Sequence, residues 1–236
     1  MKGMKVTTCA LCATLALSGC NMSNTAKGGI IGGAGGAALG ALIGNFAGNT
    51  VVGAAIGTAV GAGAGVLIGN RMDKAKKAAQ QVSNAQVESV TDKNGLQAVK
   101  VTFDSGILFS TSSSSLSSSA MGSLTKFATS VLNQNKDMDV SIQGYTDNQG
   151  WKNSTAAQSQ QKNVELSKQR AQAVQNFLLN TCNVSASQIK SVEGFGEANP
   201  VADNTTKAGQ QQNRRVEVYL YASQSMIDAA NNGTLK

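Results

Sequence analysis

Histidine is absent from the 236 residues, which removes the commonest general base and the commonest metal ligand. Aromatic residues make up 4% of the chain, too few for a platform on which bases stack. The densest basic cluster is Lys74, Lys76 and Lys77, so a nucleic-acid partner is not expected. An enzyme reading needs a nucleophile and a base, and no carboxylate pair stands at a plausible spacing to join the missing histidine. The reading is therefore a non-enzyme that needs no cofactor and no metal. Formal charge is +7, falling to +5 once Lys2 and Lys5 leave with a leader. Anionic lipid or an acidic polymer suits that balance.

Cysteine is scarce as well: Cys9, Cys12, Cys20 and Cys182. The first two have CxxC spacing but lie in an apolar leader, where a metal or redox site has no folded context. Met1 to Lys5 carries two lysines and Val6 to Leu17 is an apolar run, too short to span a bilayer and suited to a signal peptide. It ends in Leu17-Ser18-Gly19-Cys20, which resembles the lipobox of bacterial lipoproteins. That resemblance implies a signal peptide over 1–19 and lipidation at Cys20, whose thiol takes diacylglycerol and whose new amine takes a further acyl chain. Several chains anchor far more firmly than one. Asn21 rather than aspartate follows, and by resemblance to the sorting rule of enteric bacteria this favours the outer membrane. One lone thiol, Cys182, then remains, so no disulfide is expected within the chain.

Glycine is abundant where other signals are thin. After a short anchored N-terminus (20–27), Gly28, Gly32, Gly36, Gly40, Gly44 and Gly48 recur every four residues, and the register restarts at Gly53, Gly57, Gly61, Gly65 and Gly69. A four-residue period places glycines along one helical ridge where two backbones approach closely. No charge lies between Lys27 and Arg71. Each half, of about 20 residues, would make a helix about 30 Å long, the thickness of the hydrocarbon layer. The pattern resembles the glycine zippers of envelope lipoproteins and predicts a helical hairpin over 28–71. A self-associating periplasmic hairpin and a flexible tether are the competing readings, and depth of insertion stays open.

Beyond a linker helix and first strand over 72–97, period-two and helical patterns alternate. Gln86–Val90 and Leu96–Phe103 read as strands around Asp92-Lys93-Asn94-Gly95, a strong turn signal. Ser110 to Ser119 reads as a loop. Leu124, Phe127, Ala128, Val131 and Leu132 form a helical stripe; Met138, Val140 and Ile142 alternate as a strand,. Leu166, Val174, Phe177 and Leu178 mark a second helix, and Ile189–Glu193 and Val216–Leu220 two more strands. The order β-α-β-α-β-β predicts an α/β fold, an α+β sandwich with helices on one face of the sheet. The domain is set at 98–222, with a C-terminal tail over 223–236.

Gly144-Tyr145-Thr146-Asp147-Asn148-Gln149-Gly150, Asn163, Leu166-Ser167-Lys168-Gln169-Arg170-Ala171, Gly194-Phe195-Gly196-Glu197-Ala198-Asn199-Pro200 and Asn213-Arg214-Arg215-Val216-Glu217 occur in that order. Together they resemble the signature of OmpA-like (MotB/Pal-type) domains, over about half the chain. With the lipobox and glycine zipper, the chain is similar to the YiaD type of outer-membrane lipoprotein. The resemblance implies a periplasmic domain that binds peptidoglycan through the diaminopimelate of its stem peptide. It puts the family's aspartate on Asp147 and its arginine on Arg170, with Asn163 and Thr146 lining the site. Diaminopimelate ends in a zwitterion, which an acid and a planar guanidinium are suited to clamp.

The residues support this separately. Arg170 stands four residues from both Leu166 and Val174, so it lies on an apolar stripe where a charge needs a partner. Asp147 follows a strand in a glycine-flanked loop. The bland alternative is an internal Asp147–Arg170 ion pair. Arg214 has two readings: it reaches the pocket mouth, or it packs its stem and pairs with an acid.

Three features depart from the family pattern. Residues 151–162 lengthen the loop before Asn163 and contain Trp151, the sole tryptophan. Gly106 replaces a frequent asparagine, and Cys182 a frequent glycine. Outer-membrane proteins and a second copy of the chain are further candidate partners. A membrane-active or oligomerising zipper, with wall binding only positioning the hairpin, is the alternative function. A stator or secretion-system anchor is disfavoured by the lipobox.

Overall fold

Alternating apolar residues on three strands meet the helical stripes in one core. The computed structural model describes residues 60–91, 96–110 and 112–235. The leader, Cys20 and the hairpin up to residue 59 lie outside the described residues, as does the Asp92–Gly95 turn.

The elements are α1 (Ala62–Ala79), β1 (Ala85–Thr91), β2 (Gln97–Asp104), the single turn α2 (Ser105–Leu108), α3 (Ser118–Phe127), β3 (Met138–Gly144), α4 (Ala156–Asn180), β4 (Ile189–Gly194), α5 (Lys207–Asn213), β5 (Arg215–Ala222) and α6 (Gln224–Asn231). The strands form one sheet in the order β1-β2-β5-β3-β4. All neighbours are antiparallel except β3 and β4, which α4 joins as a parallel crossover. The mixed α/β class expected from the sequence is present, with α5 standing between the last two strands where the expected order had no helix.

One sheet face carries Val101, Phe103, Val140, Ile142, Val216 and Val218, all packed with Leu124, Phe127, Val174 and Leu178 of α3 and α4. Phe103 meets Phe127 edge to face at 5.7 Å. Burial of such side chains contributes about 1.5–3 kcal/mol each. The opposite face is polar: Glu217 accepts from Arg215 Nε at 2.7 Å and from the Tyr219 hydroxyl at 2.6 Å.

Three boundaries differ from the sequence reading. Helix α1 runs unbroken through the 71/72 boundary set between hairpin and linker. Its face Ala64, Ile68, Met72, Ala75 and Ala79 is buried in the core, and Gly65 and Gly69 are buried beside it. The end of the glycine series thus packs the domain; no helix among the described residues is long and apolar enough to cross a membrane. The 223–236 segment, read as a tail, contains α6, capped by Ser223 and held by buried Met226, Ile227 and Ala230. Helix α3 begins within the serine-rich stretch, where the Ser117 hydroxyl accepts from Ala120 N,.

Two glycines set how closely α4 lies on the sheet. A Cβ on Gly144 would come within 2.1 Å of the Ser167 carbonyl oxygen, and one on Gly194 within 2.2 Å of Lys168 N. Only glycine permits that approach, and the approach presents Asn163 and Arg170 at the end of β3.

Candidate functional site

The site forms where β3 stops. Tyr145 N–H donates to the Arg215 carbonyl at 2.9 Å and Thr146 N–H to the Gly196 carbonyl at 2.7 Å. Gly196 takes a φ of +56°, and its N–H donates to Ser167 Oγ at 2.9 Å. These bonds fix the chain just before Asp147. Asp147 Oδ1 then accepts from Gln149 N–H at 3.1 Å, closing a local turn.

Of residues 151–162, expected from the sequence as a lengthened loop, 156–162 form the start of α4, and the segment before them folds back over this turn. Trp151 N–H donates to Ser159 Oγ at 3.0 Å, and its indole Nε1–H to Asn163 Oδ1 at 2.7 Å. Asn163 Nδ2 donates to the Gln149 carbonyl at 3.2 Å. Thr155 and Gln158 form a reciprocal capping box that starts α4,.

Arg170 projects from the same helix face, seven residues after Asn163. It is 4% exposed. Its Nε–H donates to the Ser113 carbonyl at 2.9 Å, and its guanidinium sits 5.2 Å from the centre of the Phe109 ring. Burial lowers the Arg170 pKa most, the Arg214 guanidinium adds to that, and Asp147 opposes it. The two arginines and the acid therefore share one field.

Arg214 arrives from the far side, as the residue that ends α5. Asn213 fixes it there: buried, it accepts from the N–H groups of Val201 and Ala202 and donates to the Ala202 carbonyl and to Asn204. Arg214 Nη1 donates to Asp147 Oδ2.

The result is a cavity of about 670 Å³ lined by Thr146, Asp147, Asn163, Arg170 and Arg214, among others. All five residues expected at a site reach it. The internal ion pair is with Arg214, not the Asp147–Arg170 pair weighed from sequence; Arg214 meets both of its readings at once. Thr146 Oγ1 is buried with no hydrogen-bond partner. Asn163 is occupied by Trp151 and the Gln149 carbonyl, so it shapes the wall.

Sequence reasoning missed Phe109, Lys207 and Gln210, which also line the cavity. Phe109 follows a one-turn helix, and no periodicity marks it. Gly106 lines the cavity too, its N–H bound to Asp104 Oδ1 at 2.6 Å. Cys182 lies elsewhere, buried, with Thr125 Oγ1 at 3.9 Å.

The OmpA family model matches residues 108–214. That stretch is OmpA-like. A YMGG-like Gly-zipper model matches residues 1–73, so it reaches into α1. The probable lipoprotein YiaD of Escherichia coli is 39% identical over 114 residues, 48% of this chain and 47% of that protein. The outer-membrane lipoprotein YfiB of Pseudomonas aeruginosa is 34% identical over 118 residues, 50% of this chain and 64% of that protein. The chain thus spans less than two thirds of either relative. Among solved structures, the cell wall anchor of the T6SS from Pseudomonas aeruginosa superposes with a TM-score of 0.51 and 26% identity, covering 64% of this chain and 97% of that one. Asp147, Asn163, Arg170 and Arg214 all lie within the matched stretch, with Arg214 the last residue matched.

Proposed function

We propose that this chain is a lipid-anchored outer-membrane protein whose OmpA-like domain faces the periplasm and holds peptidoglycan non-covalently. The domain takes the diaminopimelate of the stem peptide. One observation carries this reading: an acid and two arginines from three separate elements converge on one cavity. The names of the relatives, two lipoproteins and a cell wall anchor, agree with it.

In this mechanism Arg170 meets the ligand carboxylate. Its Nε is committed to the Ser113 carbonyl, which orients the guanidinium at the cavity wall and leaves its Nη groups for the ligand. A planar guanidinium accepts a carboxylate through two parallel bonds. The ligand ammonium goes to Asp147, replacing the bond from Arg214. Arg214 acts as a stand-in cation that keeps the buried carboxylate compensated while the site is empty. The unpartnered Thr146 hydroxyl gains a ligand atom as its partner. Binding of this kind needs no nucleophile and no base.

Co-sedimentation with purified cell-wall sacculi tests the reading. Asp147→Ala and Arg170→Ala, each with an unchanged circular dichroism spectrum, lose sedimentation. Retained sedimentation in both removes the assigned site.

A further inference from the structure

The charges lining the cavity do not balance. Asp147 is its single carboxylate, against Arg170, Arg214, Lys152 and Lys207. Asp147 already neutralises Arg214. A zwitterionic amino-acid end brings one charge of each sign and leaves the excess untouched. The two lysines come from different elements. Lys152 follows Trp151 in the loop between β3 and α4, and Lys207 opens α5. Both are exposed, and neither forms an ion pair among the described residues. The buried groups Asp147, Arg170 and Thr146 thus make the floor, and uncommitted ammonium groups stand at the rim.

We infer that the rim is a second subsite, in which Lys152 and Lys207 hold a carboxylate of the ligand separate from its zwitterionic end. This rests on the reading of the cavity as a stem-peptide site, and it narrows the ligand class. A stem peptide carries further carboxylates beside the diaminopimelate end: the α-carboxylate of a γ-linked glutamate, and the free end of the chain. The site therefore selects stem peptides whose carboxylates are free over those in which they are amidated. Exposed ammonium groups act over a Debye length of roughly 8–10 Å at ordinary salt, so the preference is modest and salt-sensitive.

Calorimetric titration of the full-length chain in detergent micelles separates the possibilities. One probe is the tripeptide L-Ala–γ-D-Glu–meso-diaminopimelate. The other is the same peptide with the glutamate α-carboxylate and the chain-terminal carboxylate amidated, its zwitterionic end intact. The free-acid peptide binds roughly fivefold more tightly, and the gap closes in high salt. In the Lys152→Gln/Lys207→Gln double variant the free-acid peptide falls to the affinity of the amidated one, which itself stays unchanged. Equal affinities in the unaltered chain, or a gap that survives in the double variant, overturn this inference and leave wall binding standing. Failure of both peptides to bind the unaltered chain overturns the stem-peptide reading, and the subsite falls with it.

Discussion

Arg214 donates from Nη1 to Oδ2 of Asp147, so the acid at the base of the cavity is engaged by an arginine from the opposite wall. Arg170 keeps its own anchor at the Ser113 carbonyl. The two arginines are therefore not equivalent.

That asymmetry predicts how substitutions rank. Asp147→Asn preserves shape and removes the charge that receives an ammonium, and affinity for meso-diaminopimelate falls roughly thirtyfold or more, about 2 kcal/mol. Arg214 has a side chain 34% exposed and competes with the ligand for Asp147, so Arg214→Gln shifts affinity by less than tenfold. Titration calorimetry on the two variants checks the order. A loss at Arg214 equal to that at Asp147 would make Arg214 the principal carboxylate receptor.

Helix α4 carries part of the site because two glycines admit it. Gly194→Ala or Gly144→Ala forces backbone against backbone, costing about 3 kcal/mol or more and lowering the melting temperature by on the order of 10 °C. Ligand binding weakens with it, since Arg170 moves with the helix. Gly122 is the control: exposed in α3, with open space around a new Cβ. Gly122→Ala raises stability by about 1 kcal/mol. Thermal melts of the three variants test both signs.

Much of this was legible in the residues, and the remainder follows from what local pattern leaves out. Strand alternation at Val140 and Ile142, and the misplaced charge at Arg170, are properties of neighbours in sequence. The choice of Arg214 rather than Arg170 as the partner of Asp147 depends on where α5 ends, which Asn213 decides by folding back on the 201–204 loop that leads into the same helix. Glycine periodicity ends and charge begins near residue 71, yet Ile68 and Met72 share one buried face of helix α1 across that point. Helix α6 is short and polar, and it gains its stability from packing rather than propensity.

Cys182 tests the core from a different direction. Burial raises its pKa, the Thr125 hydroxyl opposing this slightly. The thiolate is the nucleophile, so at pH 8 iodoacetamide labels this residue slowly in the native protein and rapidly in denaturant. A raised folded pKa contributes stability fully present below the unfolded value, about 8.5, and lost as pH climbs from there through the folded value. Cys182→Ser weakens that alkaline decline. Equal labelling rates in native and denatured protein would contradict the burial.

Trp151 offers an optical readout of the cavity, being the only tryptophan in the chain. Its indole N–H is fixed on Asn163 at 2.7 Å, and Lys162 Nζ lies 5.8 Å from the ring centre. Saturating meso-diaminopimelate therefore changes its emission, and Arg170→Ala abolishes the change because no ligand is retained. Asn163→Leu removes the acceptor, costs about 1 kcal/mol and shifts the ligand-free emission to the red as the ring gains water. These effects separate wall-building from ligand contact: Asn163→Leu alters the spectrum before ligand is added, Arg170→Ala only after. An emission untouched by ligand in a chain that still sediments with sacculi would place the wall on another surface of the domain.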